Sequence, residues 1–349
     1  MRLQKYLLYL LLIQLIFPFT VCYPVSLMKF TTKELNLKPP WTRATEAMSS
    51  ASRSKGCGLR PLMKNPSEVS LPIVKGRTAV VGEWPWQVSL QHYRTKSEAL
   101  MPFCGGALIN EHWVLSAAHC FESSFLRYPD MVHVVAGTNR FSETPEHTEI
   151  PKASLIILHD GFGVKGEGFI HDIALVKLER PIEFSDSIQP ICIPTSDTLE
   201  TFSKCFISGW GVLDEFGEYS DELLTSEIKV TTTDICNETG MYAGILTEDV
   251  ICAGEQFVKD EMYKGDIGSP FSCFNHEDSR FYLLGISSWG ADHGAMHLPQ
   301  IYTKTSSYAC WIGTSTIKAE KSSVDNSVTQ NVPSWTSFAS SLIVIFHLS

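Results

Sequence analysis

The chain has no long run of lysine and arginine. It carries 28 Lys and Arg against 38 Asp and Glu, a formal net charge of -10. Without a basic stripe it has nothing to neutralise a phosphate backbone, so nucleic acid is not an expected partner. Such a balance suits a soluble secreted surface. Long apolar runs are missing too. Leu7 to Phe19 and Leu342 to Phe346 are both too short to span a bilayer. Charged residues make up only 19% of the chain, whereas 44% are hydrophobic, which is enough apolar material for a sizeable core.

The short apolar runs sit at informative places. Arg2 and Lys5 precede the first of them and Thr20-Val21-Cys22 follows it, so residues 1–22 read as a secretory signal peptide. That places the chain in an oxidising compartment, where its ten cysteines are disulfide material first. If Cys22 leaves with the signal, an odd number remains. Residues 23–72 are polar, rich in Ser, Lys and Pro, and carry one cysteine, Cys57. They read as a pro-segment or linker. Residues 319–349 form a polar spacer followed by the terminal apolar tail. This order matches a glycolipid-anchor signal, with Ser322, Ser323 and Asn326 as attachment positions; the alternative is a simple disordered end. Asn237-Glu238-Thr239 is an acceptor sequon for N-glycosylation.

Between these flanks, residues 73–318 change texture. Trp86, Val88 and Leu90 alternate with Gln87, Ser89 and Gln91, the period of a half-buried strand. Further short runs follow at Ala107–Ile109, Trp113–Ser116, Val132–Ala136, Leu155–Leu158, Ile173–Leu178, Cys205–Gly209, Ile228–Thr232, Tyr282–Ser287 and Ile301–Thr305, punctuated by Gly, Pro, Asn and Asp. Many short strands with little helix predict an all-β barrel or sandwich. One helix is predicted from Ser307 to about Lys318, where Tyr308, Trp311, Ile312 and Thr316 fall at helical spacing.

Seven motifs share this region in a fixed order. Phe103-Cys104-Gly105-Gly106 and Ser116-Ala117-Ala118-His119-Cys120 come first. His171-Asp172-Ile173-Ala174-Leu175 follows, then Cys205 to Gly211 and Ile251-Cys252-Ala253-Gly254. Gly265-Asp266-Ile267-Gly268-Ser269-Pro270 and Ser287-Ser288-Trp289-Gly290 close the set. Together they resemble the chymotrypsin-like serine proteases over roughly Ile73 to Lys318. The resemblance implies two six-stranded antiparallel β-barrels with a site between them. It implies a general base at His119, an orienting carboxylate at Asp172, and an oxyanion hole from the backbone of Gly265 and Ile267. It also implies disulfides Cys104–Cys120, Cys205–Cys273, Cys236–Cys252 and a tether from Cys57 to Cys192. The family's bridge beside the specificity pocket is absent, since Tyr263 and the loop Ala291–Pro299 offer no cysteine. Cys310 is left over and expected to be a buried free thiol. No cofactor is expected, and one His with one carboxylate is too few ligands for a metal site.

Three departures from the family stand out. Ile267 occupies the position of the attacking serine. Leu71-Pro72 replaces the basic residue after which the family is cut before Ile73, so Asp266 loses its expected ammonium partner and must find another donor or face water. Arg53, Lys55 and Arg60 are the other basic positions for a cut. In the specificity pocket Glu261 stands at the floor and Gln300 replaces a wall glycine, with Ser288 and Gly290 as further remnants. Glu261 could receive a basic side chain, but Gln300 favours a filled pocket. Ser269 as a displaced nucleophile is disfavoured by its place in a tight turn. The reading is a catalytically inactive homologue, secreted or surface-tethered, that binds a protein partner; the alternative is a weak or atypical hydrolase. Val135-Ala136-Gly137-Thr138-Asn139 and Ala153 to His159 are most similar to the testis-type serine proteases 51, 52 and 55, which would imply a role in male germ cells.

Overall fold

Alternation at Trp86–Gln91 sets up the first sheet, as a computed structural model of the chain places it. The structure describes residues 56–64, 77–93, 99–123, 126–143, 145–166, 168–195, 201–211, 219–231, 233–238, 242, 244–254, 266–290 and 299–330. In chain order the strands are β1 (Arg77–Thr78), β2 (Gln87–Tyr93), β3 (Leu100–Asn110), β4 (Trp113–Ser116), β5 (His133–Ala136), β6 (Ala153–Leu158), β7 (Gly163–Lys165), β8 (Gly168–Ile170), β9 (Ala174–Leu178), β10 (Phe202–Gly209), β11 (Leu224–Ile228), β12 (Val230–Thr231), β13 (Val250–Ala253), β14 (Pro270–Asn275), β15 (Arg280–Trp289) and β16 (Gln300–Lys304). The helices are α1 (Thr233–Glu238) and α2 (Ala309–Gln330).

One sheet has six strands in the order β5-β2-β3-β4-β9-β6, and the other has eight in the order β1-β11-β10-β14-β15-β16-β13-β12. Each curls on itself, giving the all-β double-barrel arrangement. The second sheet exceeds the expected six strands because two short pieces extend it. β1 adds to β11 through Arg77↔Thr225 and Thr78↔Leu224, and β12 adds to β13 through Val230↔Ala253. The strand expected over Ile228–Thr232 is therefore two strands. Ile228 pairs with Cys205 on β10, and beyond Lys229 the chain changes partner to β13.

The half-buried expectation for β2 is corrected as well. Trp86, Val88 and Leu90 are fully buried, and so, nearly, are Gln87, Ser89 and Gln91. The polar face is covered because it is the seam between the two sheets. Gln87 Nε2 donates to Ser269 Oγ at 3.2 Å, Ser208 Oγ donates to Gln87 Oε1 at 2.8 Å, and Trp86 Nε1 donates to Ser272 Oγ at 3.0 Å. Buried polar groups remain tolerable when paired in this way. Around the seam Trp86, Trp113, Leu108, Leu115 and Phe281 form the core with no more than 1% exposure, each worth roughly 1.5–3 kcal/mol of burial.

Four disulfides join Cys57–Cys192, Cys104–Cys120, Cys205–Cys273 and Cys236–Cys252, the pairings implied by the resemblance. Closing a loop of such length stabilises a domain by roughly 2–4 kcal/mol. The free thiol expected at Cys310 is overturned: Cys310 is disulfide-bonded, to a partner outside the described residues. The Cys57 tether is reinforced by backbone bonds. Gly58 N donates to Pro190 O at 2.7 Å, and Phe281 N donates to Gly58 O at 3.0 Å. Arg60 is buried with its guanidinium over the rings of Phe281 (4.5 Å) and Trp84 (5.4 Å). Burial pushes its pKa down to about 10. A protease cutting after Arg60 would first have to lift this side chain out. Arg53 and Lys55 lie outside the described residues.

Helix α2 outruns its predicted end at Lys318 by three turns. A 3-10 turn at Thr305–Tyr308 leads into it. Thr314 and Thr316 satisfy their hydroxyls on the carbonyls of Cys310 and Ile312, both at 2.9 Å, and so do not break the helix. Ala319, Glu320 and Lys321 are strong helix formers, and Ala319 still packs on the core. The attachment positions Ser322, Ser323 and Asn326 fall inside α2; the apolar tail lies outside the described residues. Among those residues no helix is long and apolar enough to cross a membrane.

Candidate functional site

His119 is delivered by β4, which ends at Ser116 and passes into a 3-10 turn at Ala118–Phe121. The Cys104–Cys120 bridge fixes that turn to β3. Asp172 is delivered from the other direction. His171 before it adopts φ +49°, a left-handed conformation uncommon outside glycine. The turn is closed by Ile173 N donating to His171 O at 2.9 Å. It aims a carboxylate with 1% exposure inward.

That carboxylate is saturated. His119 donates through its backbone N–H to Oδ1 at 2.9 Å and through ring Nδ1 to Oδ2 at 2.6 Å. Ser288 Oγ donates to Oδ2 at 2.5 Å, and Thr303 Oγ1 holds the Asp172 carbonyl at 2.8 Å. A carboxylate only accepts, so the proton sits on His119 Nδ1 and leaves Nε2 with its lone pair. Among the described residues Asp172 is the imidazole's only hydrogen-bond partner. Phe169 of β8 lies flat against the ring, with centroids 4.4 Å apart and planes 7° apart.

The Asp266–Pro270 turn faces this pair. Gly268 has φ +81°, and a Cβ there would lie 2.4 Å from Ser116 Oγ and 2.5 Å from the Gly105 carbonyl, so only glycine fits. The turn is held by Gly105 N donating to Ile267 O at 2.7 Å. Ile267 is partly buried and its side chain packs on the main hydrophobic core. Ser269 points into the seam, 2% exposed and bonded to Gln87, away from His119. Asp266 is buried. Gly211 N donates to its Oδ1 at 2.8 Å, and among the described residues no cation stands beside it. Burial, opposed only by that bond, pushes its carboxyl from 3.8 up to about 7. It has found a backbone donor in place of an ammonium group. Gly265 and Glu261, expected in the oxyanion hole and at the pocket floor, lie outside the described residues.

The pocket wall is occupied. Gln300 opens β16 and lays its carboxamide so close to Gly290 that a side chain at Gly290 would collide with it. Ser288 is committed to Asp172. Trp289 is wedged between Tyr242, whose ring centroid is 5.4 Å away, and the β7–β8 hairpin. The same end of the hairpin is held by Lys165, the register partner of Gly168, whose Nζ donates to Ile245 O at 3.2 Å. A Cβ on Gly168 would run into the Trp289 indole. Gly168→Ala is therefore expected to cost about 1–3 kcal/mol through overpacking. Trp289 fluorescence should shift and the midpoint of urea unfolding should fall; an unchanged midpoint would mean that the hairpin adapts freely.

Of the residues singled out in the sequence, His119, Asp172 and Ser288 are joined by hydrogen bonds, and Gly290 lies against Gln300. Sequence reasoning missed Phe169 and the hairpin, although Gly168-Phe169-Ile170 directly precedes the His171-Asp172 motif and could have drawn attention. Asn237 sits on α1 with its carboxamide clamped on Leu246, donating to the carbonyl at 3.3 Å and accepting from the N–H at 3.2 Å. A glycan on Nδ2 would leave one N–H for that clamp. Among the described residues no group of three or more His, Cys, Asp or Glu is placed to hold a metal ion.

Known proteins give this geometry its kinship. The Trypsin family profile matches residues 73–312, well over half the chain. Coagulation factor XI from Bos taurus is 33% identical over 247 residues, covering 70% of this chain and 38% of that protein. Serine proteinase stubble from Drosophila melanogaster is 32% identical over 268 residues, covering 75% of this chain and 33% of that protein. The chain thus spans between a third and two-fifths of the length of these relatives. A His–Asp–Ser array under a glycine turn, two curled antiparallel sheets and a profile match across both of them lead to one conclusion: the chain belongs to the Trypsin family.

Proposed function

We propose that the protein is a catalytically inactive member of this family that works by binding another protein. One observation carries the reading. The imidazole of His119 is oriented by Asp172 as a general base, yet the turn residue where the family requires a hydroxyl is the hydrocarbon Ile267, packed on the core. A general base has no proton to take from isoleucine. In a related triad, removing the nucleophile costs about 10⁶ in turnover, leaving roughly 10³–10⁴ over water from the oxyanion hole and binding alone. Gln300 against Gly290 supports the same reading, since its carboxamide lies where the family keeps a wall glycine.

The partner is a protein of unknown identity, reached outside the cell or at its surface; four disulfides suit that compartment. The closer likeness to the testis-type members extends this to a role in male germ cells. Tethering through a processed tail is part of the proposal.

The second reading, a weak or atypical hydrolase, draws on the intact His119–Asp172–Ser288 array. A fluorophosphonate probe separates the two. The folded protein is expected to show no saturable labelling. Labelling that is lost on denaturation and mapped to one serine would reverse the proposal in favour of the hydrolase.

A further inference from the structure

Two histidines meet face to face beside Asp172, one of them its neighbour in sequence. The rings of His159 and His171 stack with centroids 4.9 Å apart and planes 28° apart. The start of α2 closes over them. Tyr308 stands edge-on to both rings, at 5.2 Å from His159 and 6.0 Å from His171, and Trp311 lies 5.1 Å from His159. From a third direction comes Asp249, just before β13. Tyr308 OH donates to the Asp249 carboxylate, and His171 Nδ1 donates to Tyr308 OH at 2.9 Å. Asp249 Oδ2 is also 3.3 Å from His171 Nδ1. Hydrogen bonds from Thr247 and Tyr308, with the His171 charge, hold the Asp249 carboxyl down against its burial.

His159 has a specific difficulty in taking a proton. Its Nδ1 already accepts the Gly161 backbone N–H at 3.1 Å. In that tautomer the other nitrogen, Nε2, carries the hydrogen, so a second proton can enter only at Nδ1. Protonation must therefore break the Gly161 bond. The resulting cation would also face a second imidazole across the stack. Among the described residues the charged or titratable groups around it are His171 across the stack, Asp160 beside it in sequence, Asp249 before β13, Tyr308 just before α2, and Asp172 beyond His171. Burial first, and His171 second, push the His159 pKa down; Asp160 and Asp249 oppose this without reversing it. Trp311 would favour a cation on its face, but it cannot replace the lost Gly161 bond.

We propose that the His159–His171 stack, with Tyr308, Trp311 and Asp249, is an acid-sensitive clasp that holds the start of helix α2 on the first barrel. At neutral pH the stack is closed. On acidification His159 takes a proton and gives up Gly161. The first turns of α2 then loosen from the barrel, beside the residue that orients His119.

The test uses hydrogen–deuterium exchange on the intact protein at pH 7.5 and pH 5.5, corrected for intrinsic exchange. Peptides covering 305–322 are expected to open at least about 5-fold more readily at pH 5.5, the lower end of ordinary coupling between linked sites. Peptides from β2 and β3 should keep their protection. In His159→Phe, which keeps a ring in the stack but cannot titrate, the difference should vanish. If that variant does not fold, His171→Asn provides the same comparison by removing the stacked partner. An α2 indifferent to pH, a pH response surviving in the substituted protein, or equal loosening of β2 and β3 would each overturn the clasp.

Discussion

Ile267→Ser introduced alone is expected to leave peptide hydrolysis at the parental background. Ile267→Ser/Gln300→Gly/Pro72→Arg, nicked after residue 72 by trypsin, should exceed it by at least about 10³-fold. The nucleophile is worth about 10⁶ in a triad, but triad contributions are strongly non-additive, and an oxygen regains its worth only in a working site. The base is already in place, since Asp172 fixes the tautomer of His119 through two bonds. What stands in the way is geometry elsewhere. The Gln300 carboxamide lies against Gly290, where the proposal puts the wall of the specificity pocket. Asp266 is buried on a single backbone donor, whereas the family's mechanism has a new N-terminal ammonium draw that carboxylate into place. Each obstacle blocks a different step: side-chain binding, formation of the oxyanion site and attack. Removing one leaves the other two. Turnover measured on a mixed peptide library checks this. Robust activity in the single variant would mean that the pocket and activation changes matter little. No gain in the triple variant would move the blame to Phe169, flat on the base.

Much of this arrangement could be read from the sequence, for physical reasons. Short motifs such as Ala-Ala-His-Cys and Gly-Asp-x-Gly-x-Pro pin residues that must approach backbone closely, and Gly268 shows why: a Cβ there would clash with Ser116 and the Gly105 carbonyl. The disulfide pairings are those that the family resemblance implies. Other features were hidden because their signal is tertiary. β14 is buried along its whole length and so shows no alternation, and its opening Pro270 reads as a breaker. The polar face of β2 looked solvated, because the sequence cannot say that Ser208 and Ser269 lie opposite Gln87. Helix α2 was cut short at Lys318 because the polar residues beyond it resemble a spacer; helix propensity carried on where hydrophobic periodicity stopped. The stack of Phe169 on His119 and that of His159 on His171 join residues from separate loops, where no local pattern exists to be read.

Asp266→Asn is expected to stabilise the uncut protein by about 2–3 kcal/mol at pH 8 and to destabilise it by about 1 kcal/mol at pH 4. A carboxyl whose pKa climbs from 3.8 to about 7 on folding favours the fold only while it is protonated. Its contribution is fully present below pH 4 and is lost as pH rises through 7. At roughly 1.4 kcal/mol per pH unit of that gap, about 4 kcal/mol is forfeited above pH 7. Asparagine keeps the oxygen that accepts from Gly211 and removes the charge, while its new amide hydrogens return part of the gain if they lack partners, about 1–2 kcal/mol. The parent's own pH profile cannot isolate this effect, because His159 works in the opposite direction. Its pKa is lowered by burial and by His171, so its contribution is present above its unfolded pKa and is lost as pH falls. The difference between variant and parent in urea unfolding at the two pH values cancels His159 and leaves Asp266. The sign of that difference also reports the state of the chain. If Asp266→Asn destabilises at pH 8, the carboxylate must be paired with a buried cation, and the natural candidate is a liberated amino group at Ile73. Such a reversal would show that the chain is cut before Ile73 despite Leu71-Pro72, and the obstacle assigned to activation would fall with it.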